Sequence, residues 1–193
     1  MKEYNIEIVG ACGAGKSTFT IRLVQGIFVK NYDPTRQDLY RRKIVEQVTD
    51  HSQIQYTVNL LDTVGVTDKD KESPDFQDTR YLFGQGFVVV YDIANEASFE
   101  EAKSIMKEII TVKKDKKTPI MLVGNKLDLD GDRQVLRTSA VEESDKYGNC
   151  QFMEISCKDN TNVMESVQSL VKVVDKRTSG VVPKDNDGSC VVS

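Results

Sequence analysis

Gly10-Ala11-Cys12-Gly13-Ala14-Gly15-Lys16-Ser17 is the stretch that decides the fold of this chain. It fits G-x-x-x-x-G-K-[ST]. A β-rich run (Tyr4, Ile6, Ile8, Val9) leads into it, and a helical pattern with Phe19, Leu23 and Val24 on one face leads out. In that context the glycines let consecutive main-chain N–H groups converge on phosphate oxygens, and the helix start adds its positive dipole end. Lys16 supplies a compact charge to the outer phosphates, and the Ser17 hydroxyl a ligand for Mg²⁺. Residues Gly10 through Thr18 are therefore the candidate phosphate-binding set. The loop implies a nucleoside triphosphate and leaves the base open.

Working outward, Ile44 to Val48 and Ile54, Tyr56, Val58 and Leu60 alternate with polar residues on either side of Thr49-Asp50-His51-Ser52, the pattern of a hairpin. Phe87 to Tyr91 and Ile120 to Val123 are continuous apolar runs of strand length, as in strands covered on both faces. A sixth strand is expected at Gln151 to Ile155. Helices are expected at Ser98 to Ile110, Thr138 to Tyr147 and Val163 to Val174, with Ser98 and Glu101 forming a capping-box signature for the first of these. Strands alternating with helices predict an α/β fold of the P-loop NTPase kind. It would have a mostly parallel six-stranded sheet, one antiparallel edge strand and helices on both faces. Ligands bind such folds at the carboxyl ends of the strands. The domain is expected over residues 1–175, followed by a flexible tail over 176–193, where the composition turns to Thr, Ser, Gly, Pro, Lys, Asp and Asn.

Composition narrows the class. With 39% hydrophobic and 29% charged residues in 193, the chain is neither disordered nor membrane-spanning in type. A net charge of −4 offers no general attraction to nucleic acid or to anionic membranes, which would need a basic field. Cys12, Cys150, Cys157 and Cys190 form no C-x-x-C pair, and His51 is the only histidine, so they read as reduced thiols. The opening MKEYNIEIVGACGAGKS reads as a strand entering a loop and not as a secretory signal. Lys113, Lys114, Lys116 and Lys117 fall near a helix C-terminus, where cations complement the dipole and stay solvated; a membrane-facing role is the alternative.

Asn125-Lys126-Leu127-Asp128 follows the strand at Ile120 to Val123. A carboxylate there accepts two hydrogen bonds from guanine, at N1–H and the exocyclic amine, and adenine has neither in place. A site built for such donors rejects the analogue lacking them by roughly 10⁴–10⁵. With this second motif the chain resembles a Ras-family small GTPase over about residues 1 to 175.

The resemblance extends to further stretches and implies their roles. Tyr32-Asp33-Pro34-Thr35 resembles the first switch, in which Thr35 completes the Mg²⁺ shell begun by Ser17 and touches the γ-phosphate, while Tyr32 lies over the phosphates. Asp62-Thr63-Val64-Gly65 resembles D-x-x-G, with Asp62 holding Mg²⁺ through water and the Gly65 N–H on the γ-phosphate. Ser156-Cys157-Lys158 resembles the loop whose middle N–H donates to guanine O6. Phe28 matches the aromatic that packs edge-on to the base, although by position alone a core residue is the safer reading. Asn125, Lys126 and Asp128 complete the base site, and Lys16, Thr35 and Gly65 are the residues expected at the reacting phosphate. GTP or GDP with Mg²⁺ is the implied ligand set. Effector proteins, an exchange factor and a GTPase-activating protein are the implied partners of a monomeric switch.

Two departures bear on hydrolysis, in a family that is itself the standard worked case of this chemistry. Val66 stands where a glutamine orients the attacking water, and Cys12 where glycine is usual. The effector run Tyr32-Asp33-Pro34-Thr35-Arg36-Gln37-Asp38-Leu39-Tyr40 has Arg36 in place of an aliphatic residue and Gln37 in place of an acid, which weakens complementarity to basic effector domains. The hairpin between Tyr40 and Asp62 is a few residues longer than is common. Cys190-Val191-Val192-Ser193 fits C-a-a-X, with terminal Ser favouring a farnesyl group and hence the cytoplasmic face of a membrane, the plasma membrane first. One such chain gives marginal binding and needs a second signal.

Overall fold

The chain is described here from a computed structural model, which covers residues 2–29, 38–49, 52–63 and 81–180. Strand β1 (Lys2–Gly10) is followed by helix α1 (Lys16–Gln25), the hairpin of β2 (Asp38–Thr49) and β3 (Ser52–Asp62), and then β4 (Gly86–Asp92) and α2 (Glu96–Lys113). After these come β5 (Ile120–Asn125), a 3₁₀ segment (Leu127–Asp132), α3 (Arg137–Ser144), β6 (Cys150–Glu154) and α4 (Val163–Thr178). The six strands form one sheet in the order β2-β3-β1-β4-β5-β6. All neighbours are parallel except β2 and β3, which pair antiparallel (Arg42 opposite Val58) with a register shift between Gln47 and Thr49. The expected α/β architecture, with its antiparallel edge strand, is the observed one.

Side-chain alternation splits the core into two layers. On one face Ile6, Ile8, Val88, Val90, Met121 and Val123 pack with Phe19 and Leu23 of α1 and with Val167, Leu170, Val171 and Val174 of α4. On the other, Val9, Phe87, Val89, Tyr91 and Leu122 pack with Phe99, Ala102, Ile105, Met106 and Ile109 of α2. Every residue of β4 and β5 is buried, which is why both read as unbroken apolar runs.

Three expectations need correction. Helix α2 starts at Glu96 and is capped by Asn95, whose Oδ1 accepts the Ser98 N–H at 3.2 Å, so Ser98 is not the cap. Its hydroxyl instead donates to Asn95 O at 2.7 Å and accepts the Asp92 N–H at 2.9 Å, which binds the helix start to the end of β4. Helix α3 ends at Ser144, short of Tyr147. Helix α4 runs past the expected Val174 to Thr178. Its last turn is fastened: Asp175 accepts from Tyr4 Oη at 2.5 Å and Tyr56 Oη at 3.2 Å and pairs with Lys2, while Arg177 pairs with Asp115 and donates to Lys117 O. No helix among the described residues is long and apolar enough to cross a membrane.

Candidate nucleotide site

Because β1, β3, β5 and β6 run parallel, their carboxyl ends gather at one end of the sheet, where α1 starts. The loop after β1 is shaped by close approach. Gly10 has φ +142°, and a Cβ there would lie 2.1 Å from Val90 O. Gly15 has φ +94°, and its Cβ would meet Asn125 Nδ2 at 2.3 Å. Gly13, at φ +76°, needs glycine for conformation only, since nothing lies within 4 Å. Gly15 opens α1 with no side-chain cap among the described residues, and a helix start of this kind is a place where anions can bind.

Lys16 is 6% exposed and donates to Gly10 O at 2.9 Å and Ala11 O at 2.8 Å. Burial lowers its pKa, with the charges of Cys12, Asp62 and Glu101 opposing. A buried ammonium whose hydrogen-bond partners among the described residues are neutral carbonyls gains by meeting an anion. Ala11 and Ala14 are buried, whereas Cys12 is exposed at the mouth of the loop. Ser17 and Thr18 follow in the first turn of α1, half-buried.

Asp62 ends β3 and is 2% exposed. Its neighbour Thr63 places two donors on Ile8 O, the N–H at 3.3 Å and the hydroxyl at 2.8 Å, tying the end of β3 to β1. The Ser17 hydroxyl and Asp62 carboxylate are hard oxygen donors of the kind Mg²⁺ selects, so the residues present fit the ion. Thr35, expected to complete that shell, lies outside the described residues, as do Tyr32, Asp33, Pro34, Arg36, Gln37, Gly65, Val66 and Cys190.

The base-side residues form one network. Asn125 is 2% exposed; its Nδ2 donates to Ala14 O at 2.9 Å and its Oδ1 accepts the Cys157 N–H at 3.4 Å. A single amide thus joins the phosphate loop to the loop after β6. Lys126 sits at φ +67°, and its Nζ pairs with Asp92 Oδ2 at 2.6 Å. Asp128 is aimed by the Ser156 hydroxyl, which donates to Oδ1 at 2.8 Å, and by Lys158 Nζ, 3.7 Å from Oδ2. Cys157 is buried, and burial pushes its thiol up to about 12, so it packs as a small neutral side chain.

Phe28 is not a core residue: it is 39% exposed, with the Arg22 guanidinium 5.9 Å from its ring centroid. Arg22 escaped the sequence reading altogether. From α1 its Nε donates to Cys157 O at 2.7 Å, Nη2 to Lys158 O at 2.9 Å and Nη1 to Gly26 O at 2.7 Å. It therefore holds the base-side loop against the end of α1. Nothing local signals this, because the contacts join residues more than 130 positions apart. Of the effector run, Asp38 opens β2, Leu39 is 72% exposed, and Tyr40 packs half-buried against the core face that carries α1 and α4.

A phosphate cradle between β1 and α1, a buried lysine inside it and an oriented carboxylate after β5 define a P-loop nucleotide-binding domain. The chain belongs to the Ras family, whose family model matches residues 5–176, from β1 almost to the end of α4. It is thus a small GTPase of the switch type, in a family that binds GTP and GDP with Mg²⁺ and works through effectors and regulators.

Proposed function

We propose that this chain is a guanine-nucleotide switch that hydrolyses GTP slowly and therefore resides mainly in the GTP-loaded form. The observation that carries the proposal is Val66, in the position where the family's water-orienting glutamine stands. A valine side chain neither donates to nor accepts from water. Phosphoryl transfer of this kind rests on positioning and charge stabilisation, so a lost water partner is felt in the chemical step. Cys12, exposed at the mouth of the loop, adds bulk where an incoming arginine from an activating partner would enter.

Nucleotide affinity survives both changes, since it draws on other groups. The loop amides and Lys16 bind the phosphates, Asp128 and the Cys157 N–H read the guanine, and Phe28 with Arg22 flanks the base. When bound through Ser17, Thr35 and Asp62, Mg²⁺ neutralises charge on the phosphate oxygens. Cys12 also supports a stricter reading, in which hydrolysis is essentially absent and the chain is a constitutively loaded effector-binding module. Arg36 and Gln37 point to effectors whose docking faces are less basic than is usual for the family. Prenylation at Cys190 would carry the protein to the cytoplasmic face of a membrane.

Single-turnover GTP hydrolysis by the wild type beside Val66→Gln, with and without an activating partner, tests the proposal. The expected outcome is a wild-type rate at least about tenfold below that of Val66→Gln, the low end of what one positioned group contributes. A wild-type rate equal to the variant's would refute it and assign the water to Thr67 or Asp68. Recovery of the purified protein mostly with GTP, with no measurable turnover, would select the stricter reading.

A further inference from the structure

The end of the sheet opposite the nucleotide site carries features that a switch does not use. Leu82 and Phe83, on the turn entering β4, are 50% and 75% exposed. The turn that presents them is pinned on several sides. The Gly84 N–H donates to Glu7 Oε1 at 2.7 Å, the Gln85 N–H to Asn5 O at 2.8 Å, the Asn5 N–H to Gln85 Oε1 at 2.9 Å, and Lys113 Nζ to Leu82 O at 2.8 Å. Exposed apolar residues scattered singly mean little. These two are adjacent, rigidly held and bordered by cations.

Lys113 ends α2 and Lys114 is its left-handed cap; Lys116 and Lys117 follow, and Lys114, Lys116 and Lys117 are exposed. The Asp115 carboxylate among them is taken by Arg177 of α4. Gly84, Lys113, Asp115, Val174 and Arg177 line one cavity of about 200 Å³, so the turn, the end of α2 and the end of α4 are contiguous. The result is a local basic surface with an aromatic tip on a protein whose net charge is −4.

We propose that this pole docks on an anionic phospholipid surface. Lysine stems lie along such an interface with their ammonium groups among the headgroups, while Phe83 and Leu82 enter the boundary with the acyl chains. A bilayer is favoured as the occupant because the chain leaves α4 at this same pole. The ten residues that follow Gly180, up to Cys190, reach at most about 35 Å, which keeps any lipid on Cys190 close to the lysines. The inference deepens the prenylation reading and rests on it for location in the cell. One lipid chain needs a second signal, and the tail's Lys184 is offset by Asp185 and Asp187.

The test uses the full chain, nucleotide-loaded and purified without lipidation, so that docking and prenylation can fail separately. It should sediment with vesicles of phosphatidylcholine containing about one third phosphatidylserine, and not with phosphatidylcholine alone, and added salt should release it. The double reversal Lys116→Glu/Lys117→Glu should lower partitioning roughly tenfold or more. Arg41→Glu/Lys43→Glu, an equal charge change on exposed residues of β2, should alter it less than about twofold. Phe83→Trp places the only tryptophan in the chain at the tip. Its emission should shift to the blue and be quenched by brominated acyl chains on the serine-containing vesicles. Equal losses in the two double variants, or an indole that keeps its aqueous emission, overturns the proposal. So does retention on immobilised polyglutamate without vesicle binding, which would put an acidic protein in the lipid's place. A chain that passes these tests while Cys190 stays unmodified in cells supports docking and removes only the prenyl anchor.

Discussion

At the carboxyl end of the sheet, Lys16 is bonded to two carbonyls of its own loop; at the amino end, Asp175 draws Lys2, Tyr4 and Tyr56 from two strands onto one carboxylate. Both groups are charged and largely withdrawn from water, yet their partners differ in kind. Neutral carbonyls satisfy an ammonium only partly, so Lys16 improves its position by exchanging them for phosphate oxygens. Asp175 already has an ion pair and two phenol donors, and no ligand could improve on them. One arrangement is provisional and marks a site; the other is complete and acts as a clasp. Helix α4 is fastened at that same end by a second ion pair, where Arg177 meets Asp115.

Perturbing each end in turn tests this division. The largest effect is expected from Gly10→Ala, because the new Cβ would sit 2.1 Å from a main-chain oxygen that cannot swing aside. A loss of about 4 kcal/mol or more, or no soluble protein, is the expected result of denaturant titration. A shift within about 1 kcal/mol would mean that β1 and β4 are not so close. Lys16→Met should weaken GDP binding by about 10²–10³-fold in calorimetry with Mg²⁺ present. The nucleotide-free melting temperature should hold or rise, since a buried cation has been removed.

At the other end, Asp175→Ala should cost about 1–3 kcal/mol of stability while leaving nucleotide affinity untouched. Its pH dependence has a definite sign. Burial raises the Asp175 pKa, but hydrogen bonds from Lys2, Tyr4 and Ser179 outweigh it and hold the carboxyl below its ordinary value of 3.8. The stability it contributes is therefore present above that value and lost as pH falls through the depressed one. Acid titration of the wild type should show this loss, and Asp175→Ala should lack it. Gly13→Ala should be mildest, about 1–2 kcal/mol, because the left-handed backbone is strained by a side chain but the space around it is open. If Gly13→Ala proved as damaging as Gly10→Ala, conformation and not close approach would govern the loop.

The parts of this molecule that repeat a local rule were readable from the chain alone. The phosphate loop, the continuous strands and the alternating hairpin each carry their signal within one short continuous stretch. Asn95 and Ser98 show where that stops. Both are good cap residues three apart, and the choice between them is made by the end of β4, which engages the Ser98 hydroxyl. Arg22 shows it more sharply, since an arginine in an amphipathic helix looks like any solvated cation until the loop it serves is folded beside it. Phe28 was ambiguous for the same reason. The end of α4 lies past Val174, where the apolar spacing stops, and only Tyr4 and Tyr56 reveal Asp175 as a structural acceptor.

The carboxamide of Asn125 has one further consequence. It grips Ala14 with its nitrogen and Cys157 with its oxygen, and so acts as a coupling rod between the two halves of the pocket. Prying at either half strains both, and departure of a bound nucleotide becomes a single concerted event. Probes on its sugar–base and triphosphate ends should report one release rate in the wild type and two in Asn125→Ala.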